Sequence, residues 1–267
     1  MQARCRWKEG RENMLRLLDR LYEKDHVWFA VGWIVAYVVL ASEADALSLD
    51  LGVAKLVTAP VLMLMSVLLW AWVRHARLEG LLGLRAPMVP ASRMLWYLPL
   101  AIVAAKKLFF GVMVTGSALE CLCSVLAMCF VGFIEELVFR GLLFRGMDES
   151  NHTSAVVVSS ITFGIGHIVN AFNASDQSLF VTLGQIAFAV AVGFAMVYTL
   201  LKSGSIWPCV IFHSANNALG IFENEAAQIA LFGSTNAAIL AGLAVSIPLC
   251  VGYVIYLMRL PDASQTV

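Results

Sequence analysis

The long apolar run 118–144 is interrupted in its interior by Glu135, Glu136 and Arg140. Ionisable side chains at membrane depth are costly, so they usually face a protein interior or a wet cavity. On a helix Glu136 and Arg140 are one turn apart and can form an ion pair, whereas Glu135 points about 100° away from Glu136. We therefore expect Glu136 to be paired and Glu135 to be left as a candidate reactive group.

Two other apolar runs each carry a histidine. His167 follows Phe163 by one helical turn and Asn217 follows His213 by the same spacing, so each pair shares a helix face. An acid near two histidines and an amide can support hydrolysis. The carboxylate removes a proton from water with the help of one histidine, and the other histidine and the amide donate hydrogen bonds to the developing oxyanion.

Two alternatives explain the same residues. Two histidines and a carboxylate are a plausible zinc ligand set, although the sequence contains no H-E-x-x-H pair. The other alternative is purely structural, with an ion pair and two buried histidines that have no chemical role. The convergence of three polar sites on separate apolar runs favours a functional site.

The composition indicates an integral membrane protein. Hydrophobic residues make up 60% of the chain and charged residues 13%, and the mean hydropathy is +0.82. Soluble domains have about 45–50% apolar and about 25% charged residues. The net charge is zero, so nothing indicates a nucleic-acid partner. The six cysteines show neither metal-ligand nor disulfide spacing and are expected to be small buried hydrophobic residues.

The apolar runs predict an all-α, polytopic membrane helix bundle of about eight transmembrane helices. They are 26–41, 51–73, 94–115, 118–146, 154–172, 178–201, 206–222 and 236–260, with a short acidic connection at 42–50. Connections rich in Lys and Arg alternate with connections that carry acidic residues instead. Because basic connections are usually cytoplasmic, both termini are predicted to be cytoplasmic. Counted at ~1.5 Å per residue from the cytoplasmic helix ends, Glu135, His167 and His213 can lie in one layer.

The chain is expected to form one membrane domain with short ends. An amphipathic cytoplasmic segment, 1–25, precedes a transmembrane domain at 26–260, and a tail follows at 261–267. The helical spacing of apolar residues in 1–25 favours a helix on the membrane surface. Lys106 and Lys107 lie inside the third run, where we expect a structural role: they could pair with Glu120 or Glu136, or one could snorkel to the membrane surface.

Three segments of the sequence resemble the motifs of a protease family. Glu135-Glu-Leu-Val-Phe-Arg-Gly141 resembles the E-E-x-x-x-R signature of the CPBP family, the CAAX-protease and bacteriocin-processing intramembrane proteases, also called the Abi family. Phe163-Gly-Ile-Gly-His167 resembles its F-x-x-x-H motif, and His213-Ser-Ala-Asn-Asn217 resembles its H-x-x-x-N motif. Each motif alone is short, but three in order on apolar runs are specific. The resemblance covers about 129–219, within an expected protease core at about 117–222.

The resemblance implies roles for the motif residues. Glu135 would be the catalytic base and His167 its partner on the water, with His213 and Asn217 on the oxyanion side. Supporting residues would be Glu136, Arg140 and Phe163. No cofactor is required on this interpretation. If a divalent metal such as zinc is bound, its ligands would be Glu135, His167 and His213.

The family also implies a class of substrate. It includes the eukaryotic Ras-converting endopeptidase, which removes the last three residues of prenylated CAAX proteins. We therefore expect a multi-pass protein of a bacterial plasma (inner) membrane that hydrolyses membrane-associated, prenylated or leader-type peptides near the cytoplasmic face. Its partners would be such a substrate and the lipid bilayer. Two other classes stay open: a non-enzymatic scaffold or bacteriocin-immunity-type protein that retains the fold, and an ion or proton transporter.

Overall fold

The computed structural model describes residues 2–171 and 178–263, with side chains from residue 12 onward. The regular structure in these ranges is helical, and the only extended pairing in them is an isolated bridge between Val112 and Glu223. The α-helices are α1 (Gln2–Lys24), α2 (His26–Asp50), α3 (Thr58–His75), α4 (Leu98–Ala105), α5 (Ala118–Glu136), α6 (Phe144–Asp148), α7 (His152–Gly166), α8 (Leu179–Ser203), α9 (Trp207–Gly220), α10 (Glu225–Phe232) and α11 (Thr235–Met258). A π-helical segment, Leu137–Leu143, joins α5 to α6, and 3₁₀ segments occupy Ala91–Tyr97, Lys106–Leu108 and His167–Ala171.

Polar residues at the boundaries explain where the long helices begin and end. The Asp25 side chain accepts from the Trp28 amide at the start of α2, and Asn151 caps α7 through the Ser154 amide. Ser117 and Glu120 form a reciprocal capping box at the start of α5. These side chains satisfy amides that a helix start leaves unpaired. At the other end of α8, Gly204 takes a left-handed φ of 70°, which stops the helix.

In the part of the chain that the structure describes, six helical stretches are long and apolar enough to cross a membrane. They are His26–Asp50, Thr58–His75, Ala118–Asp148, His152–Ala171, Leu179–Ser203 and Thr235–Met258. Two of the eight expected spans contain shorter helices instead. The run 94–115 holds α4, of 8 residues, and the run 206–222 holds α9, of 14 residues. At ~1.5 Å per residue neither helix spans the ~30 Å of a hydrocarbon core alone.

The third apolar run is broken at both ends for physical reasons. Before α4, Leu95, Trp96 and Tyr97 have left-handed φ values of 51°, 54° and 56°, which side chains disfavour and which turn the chain sharply. After α4, two adjacent lysines require polar partners. Lys107 Nζ pairs with Glu223 at 2.7 Å, and Lys106 Nζ donates to the Gly242 carbonyl at 3.3 Å. The helix therefore stops at the lysines, and the expected pairing with Glu120 or Glu136 is wrong.

The first span is longer than the sequence predicted. The segment expected to be an acidic connection, 42–50, continues α2, which has 25 residues. Its polar side chains find partners in the helix or beside it. Asp45 pairs with Lys55 at 2.7 Å and accepts from Thr58, and Ser48 Oγ donates to the Ala44 carbonyl at 2.7 Å. Because these groups are satisfied, no break in the helix is needed. Lys55 in turn lies in the α2–α3 connection rather than inside the second span.

The bundle has two ends of different charge. At the first end Asp19 approaches His75 at 3.3 Å, and the Met88 amide donates to the Ser203 carbonyl at 2.8 Å. Every described arginine side chain except Arg140 belongs to α1 or to the connections and helix ends at this end, which we call the arginine-rich end. At the opposite end the Ala54 amide lies 3.4 Å from Glu120 Oε1, and Glu223 binds Lys107. We call this the acidic end.

Helix α1 lies along the arginine-rich end. Its Leu15 is buried in the bundle core, and its Asp19 accepts a 3.0 Å hydrogen bond from Trp72 Nε1 on α3. Apolar side chains on another edge of α1 are exposed: Met14, Leu17 and Leu21. A helix that packs on one side and exposes apolar groups on another is typical of a membrane-surface segment.

A close helix crossing places α5 against α9. A Cβ added at Gly132 would lie 2.3 Å from Ser214 Oγ and 2.7 Å from the Ser214 amide nitrogen. Only glycine therefore fits, which is the usual means by which membrane helices approach closely. Gly132 lies three residues before Glu135, and Ser214 directly follows His213. The crossing therefore brings Glu135 and His213 together.

Candidate active site

A cavity of about 750 Å³ contains the residues that the sequence singled out. Its lining includes all four residues expected to be catalytic and one of the supporting residues: Glu135, His167, His213, Asn217 and Phe163. Helices α5, α7 and α9 and the 3₁₀ segment after α7 provide these side chains, and α2, α8 and α11 close the walls. The three separate motifs therefore meet at one place, as the helix-depth argument predicted.

Glu136 and Arg140 lie behind the cavity wall and are fully buried. The ion pair expected from their spacing is formed, with Arg140 Nη1 at 3.2 Å from Glu136 Oε1. The same oxygen accepts a 2.7 Å hydrogen bond from His213 Nδ1. The Arg140 guanidinium also lies 3.9 Å from the centre of the Phe163 ring, which is a cation–π distance. This cluster links α5, α7 and α9.

The chain around Arg140 is π-helical rather than α-helical. All seven residues of Leu137–Leu143 are buried. A π-turn inserts an extra residue per turn and occurs frequently at functional sites. It rotates the helix faces on either side relative to each other. Spacing alone predicted a continuous α-helix here, and no residue type marked the change.

The adjacent glutamates have different environments. Glu136 has no exposed side-chain surface, whereas 12% of the Glu135 side chain is exposed. Glu135 Oε2 lies 3.8 Å from His213 Nε2, too far for a direct hydrogen bond. Tyr37 on α2 donates a 2.5 Å hydrogen bond to the other oxygen, Oε1. Glu135 is thus the acid that reaches the cavity, and its Oε2 is the oxygen that faces the His213 ring.

The two histidines are oriented by different partners. His213 Nδ1 donates to a carboxylate, Glu136, which leaves Nε2 directed toward Glu135. His167 lies at the start of a 3₁₀ turn, and its Nδ1 is 3.1 Å from the Phe163 carbonyl, so Nε2 is the nitrogen left for other contacts. Phe163 packs edge-on against both rings, at 5.5 Å from His167 and 5.6 Å from His213. Among the described residues His213, not His167, is the histidine closest to Glu135.

Asn217 has a neighbour that the sequence did not indicate as a site residue. Asn216 is buried, lines the cavity, and donates from Nδ2 to Asn217 Oδ1 at 3.3 Å. This contact uses the Asn217 carbonyl oxygen and leaves its Nδ2 group as the donor available to the cavity. Tyr37 was also missed. A tyrosine in an apolar run gives no sequence signal until the partner of its hydroxyl is known.

The described donors do not fit a three-ligand metal site. Within 12–171 and 178–263, no three His, Cys, Asp or Glu side chains are grouped so that they could hold a metal ion. The alternative ligands Glu135, His167 and His213 share the cavity without forming such a group. A zinc site in proteins needs at least three ligands at about 2.0–2.3 Å from the metal. Metal independence nevertheless stays a prediction.

Comparison with known protein families agrees with the motifs. Residues 116–219 match the family described as type II CAAX prenyl endopeptidase Rce1-like. This segment runs from the start of α5 to the end of α9 and contains every motif residue, so the resemblance is confirmed there. It covers less than half of the 267-residue chain. Comparisons with curated proteins and with solved structures gave no match.

The buried ion pair leads to a prediction about stability. Arg140→Ala leaves the Glu136 carboxylate buried without its cation, which typically costs about 3–5 kcal/mol in the free energy of unfolding. We expect Arg140→Ala to lower the folded yield and the thermal midpoint of the purified protein in detergent. Arg145→Ala is the matched control, because Arg145 is partly exposed and its nearest acid, Asp148, is 3.7 Å away.

Glu135→Gln serves as a second control for that measurement. It removes a charge that is not part of the buried pair and should leave the thermal midpoint close to that of the parent. An Arg140→Ala protein that unfolds like the parent and yet has lost its function would show that Arg140 is a functional group.

Proposed function

We propose that this protein is an intramembrane endopeptidase that hydrolyses peptide bonds of membrane-associated or leader-type peptides, prenylated or not, with water activated by Glu135. The observation that carries the proposal is the cavity in which Glu135, both motif histidines and Asn217 meet. The match to a CAAX endopeptidase family over 116–219 supports the same reaction class.

Glu135 suits the role of general base. It is the member of the glutamate pair with cavity exposure, and its Oε2 makes no direct hydrogen bond to the His213 ring. A water that attacks the peptide carbonyl would transfer its proton to this oxygen. His167 would hold the same water through Nε2, since its Nδ1 is directed at the Phe163 carbonyl.

The oxyanion of the tetrahedral intermediate would be stabilised from α9. The Asn217 Nδ2 group is available because Asn216 occupies the Asn217 oxygen. His213 donates to Glu136 from Nδ1, so its second donor must be Nε2–H. This role therefore requires an imidazolium, which lies here between two carboxylates. Collapse of the intermediate breaks the carbon–nitrogen bond, and the proton held by Glu135 passes to the leaving amine.

We further propose an eight-crossing topology with both termini cytoplasmic. Helix α3 ends at the arginine-rich end and α5 begins at the acidic end, so the chain between them crosses the bundle through α4. Helix α8 ends beside Met88, and the segment after α9 reaches Glu223 at the acidic end. The two short helices α4 and α9 thus act as the third and seventh crossings. The concentration of arginine at one end favours its cytoplasmic location.

The shape of the cavity argues for entry of the peptide from the acidic end. The lining extends from Glu135 and His213 to Asp45, Lys55 and Glu223, which lie at that end. With the proposed topology this is the side away from the cytoplasm. The sequence alone predicted cleavage near the cytoplasmic face, and the cavity supports the opposite side.

Substitution of the cavity residues tests the proposed reaction. Glu135→Ala, His167→Ala and His213→Ala should each nearly abolish cleavage of a membrane-tethered peptide reporter by purified protein in nanodiscs. Asn217→Ala removes one oxyanion donor and should lower kcat by about 10²–10³. All four variants should remain folded by thermal denaturation, with the lowest thermal midpoint for His213→Ala, because it removes a hydrogen bond from the buried Glu136 carboxylate.

His152→Ala is the matched histidine control, since His152 is exposed outside the cavity and pairs with Asp148. It should cleave at the parental rate. Normal cleavage by a folded Glu135→Ala protein would refute the mechanism. A parent protein inactive against a broad peptide panel would favour the scaffold, and ion flux in proteoliposomes would favour a transporter.

Activity without metal is a separate prediction. The described residues contain no three-ligand group, so protein treated with a strong chelator and freed of metal should keep its rate of reporter cleavage. The metal content of the same sample should be measured by elemental analysis. Stoichiometric zinc whose removal abolishes cleavage, and whose return restores it, would replace the glutamate–water mechanism with a metal mechanism.

The entry side can be tested with a membrane-impermeant maleimide applied to intact cells. A cysteine introduced by Gln228→Cys lies in the cavity lining at the acidic end and should gain labelling over the parent protein. Ser150→Cys lies at an exposed position of the arginine-rich end and should be labelled only after the cells are opened. The reverse pattern would place the cavity mouth in the cytoplasm.

A further inference from the structure

The hydrogen bond between Tyr37 and Glu135 joins the candidate base to a helix outside the motif region. Tyr37 lies on α2, and its hydroxyl is 2.5 Å from Glu135 Oε1. A carboxylate only accepts, so the tyrosine donates. Charge-assisted bonds of this kind are shorter and about twice as strong as bonds between neutral groups. Tyr37 also lines the cavity, whereas the family match begins only at residue 116.

The bond determines which carboxylate oxygen is available for chemistry. The terminal torsion of a glutamate is broad and roughly two-fold, so the two oxygens exchange readily unless one is held. Tyr37 occupies Oε1, and Oε2 faces His213 across 3.8 Å. The described residues offer Glu135 no other hydrogen-bond donor within bonding distance. Without the hydroxyl, the carboxylate would turn between orientations.

The backbone of α2 is well placed to hold the hydroxyl. One turn before Tyr37, Trp33 packs edge-on against Phe29, and Phe29 lies 4.7 Å from the Trp72 ring of α3. Two turns after Tyr37, Asp45 is bound to Lys55 and Thr58. Helix α2 also packs along the π-helical segment Leu137–Leu143. Contacts on both sides of Tyr37 therefore fix the position from which it donates.

We propose that Tyr37 is a positioning residue for Glu135, which holds the carboxylate so that Oε2 faces the water and the scissile carbonyl. The inference rests on the proposed function, because the group that it positions is the proposed base. It extends the functional unit beyond α5–α9 to the first membrane helix. Tyr37 acts through Glu135 and does not itself contact the reacting atoms.

The first test separates turnover from binding. Tyr37→Phe keeps the ring and removes only the hydroxyl. It should lower kcat for the peptide reporter by about 10–100-fold, as small displacements of a catalytic group do, and leave KM little changed. Tyr253→Phe is the matched control, since Tyr253 is a buried tyrosine of another span and donates to the Met94 carbonyl at 3.1 Å. It should keep the parental kcat.

The second test does not depend on activity. It is a double-mutant cycle on the thermal midpoint, with Tyr37→Phe made in the parent and in Glu135→Leu. In the parent, Tyr37→Phe removes a donor from a carboxylate and should lower the midpoint. In Glu135→Leu the hydroxyl has already lost its acceptor, so the same substitution should raise the midpoint. Equal shifts in the two backgrounds would refute the contact.

The two tests distinguish failure of this inference from failure of the proposed function. A non-additive cycle together with a lowered kcat supports positioning by Tyr37. A non-additive cycle with parental kcat in Tyr37→Phe overturns the positioning role, while the peptidase assignment is unaffected. A parent protein without peptidase activity overturns both, and that outcome is recognised before any Tyr37 variant is assayed.

Discussion

The site depends on the ion pair and the hydrogen bond that the buried Glu136 carboxylate accepts. A charge without solvent exposure persists only when it is paired and hydrogen-bonded, and Glu136 obtains both partners from different directions. Arg140 reaches it along the same helix and His213 reaches it from α9. The need to satisfy this one group orients the His213 ring and holds α5 and α9 together. The glycine at position 132 permits the close approach that these contacts require.

That arrangement explains why two adjacent glutamates have different environments. Glu136 is fully buried and binds both Arg140 and His213 through Oε1, whereas Glu135, on the next helix face, is the acid that reaches the cavity. The π-helical turn after Glu136 lets Arg140 lie under Phe163, whose ring edge contacts both histidines. The Phe163 ring therefore connects the buried Glu136–Arg140 ion pair to His167 as well as to His213. Contacts with neighbouring residues orient His167, His213 and Asn217, and the polar atoms that these contacts do not use face the cavity.

Much of this could be predicted from residue types and spacing. Composition indicates the membrane class, and the i,i+4 spacing indicates both the ion pair and the paired faces of Phe163–His167 and His213–Asn217. Features that depend on partners distant in sequence could not be predicted. The contacts of the Tyr37 hydroxyl and the Asn216 amide can be recognised only when the fold places Tyr37 beside Glu135 and Asn216 beside Asn217. Lys107 was expected to pair elsewhere because nothing in its run points to Glu223. The short α4 and α9 were predicted as full spans because hydropathy does not show where the backbone becomes left-handed or where a helix ends.

The central claim is that Glu135 supports hydrolysis of peptide bonds within a membrane. Its most direct test is a comparison of protein termini in membranes from cells that produce the parent protein and cells that produce equal amounts of folded Glu135→Gln. Mass spectrometry of the new N- and C-termini detects cleavage of any membrane protein, whichever one is the substrate. The account predicts a defined set of termini in or next to membrane segments that are present with the parent and absent with the variant. Identical termini in both membranes would contradict it.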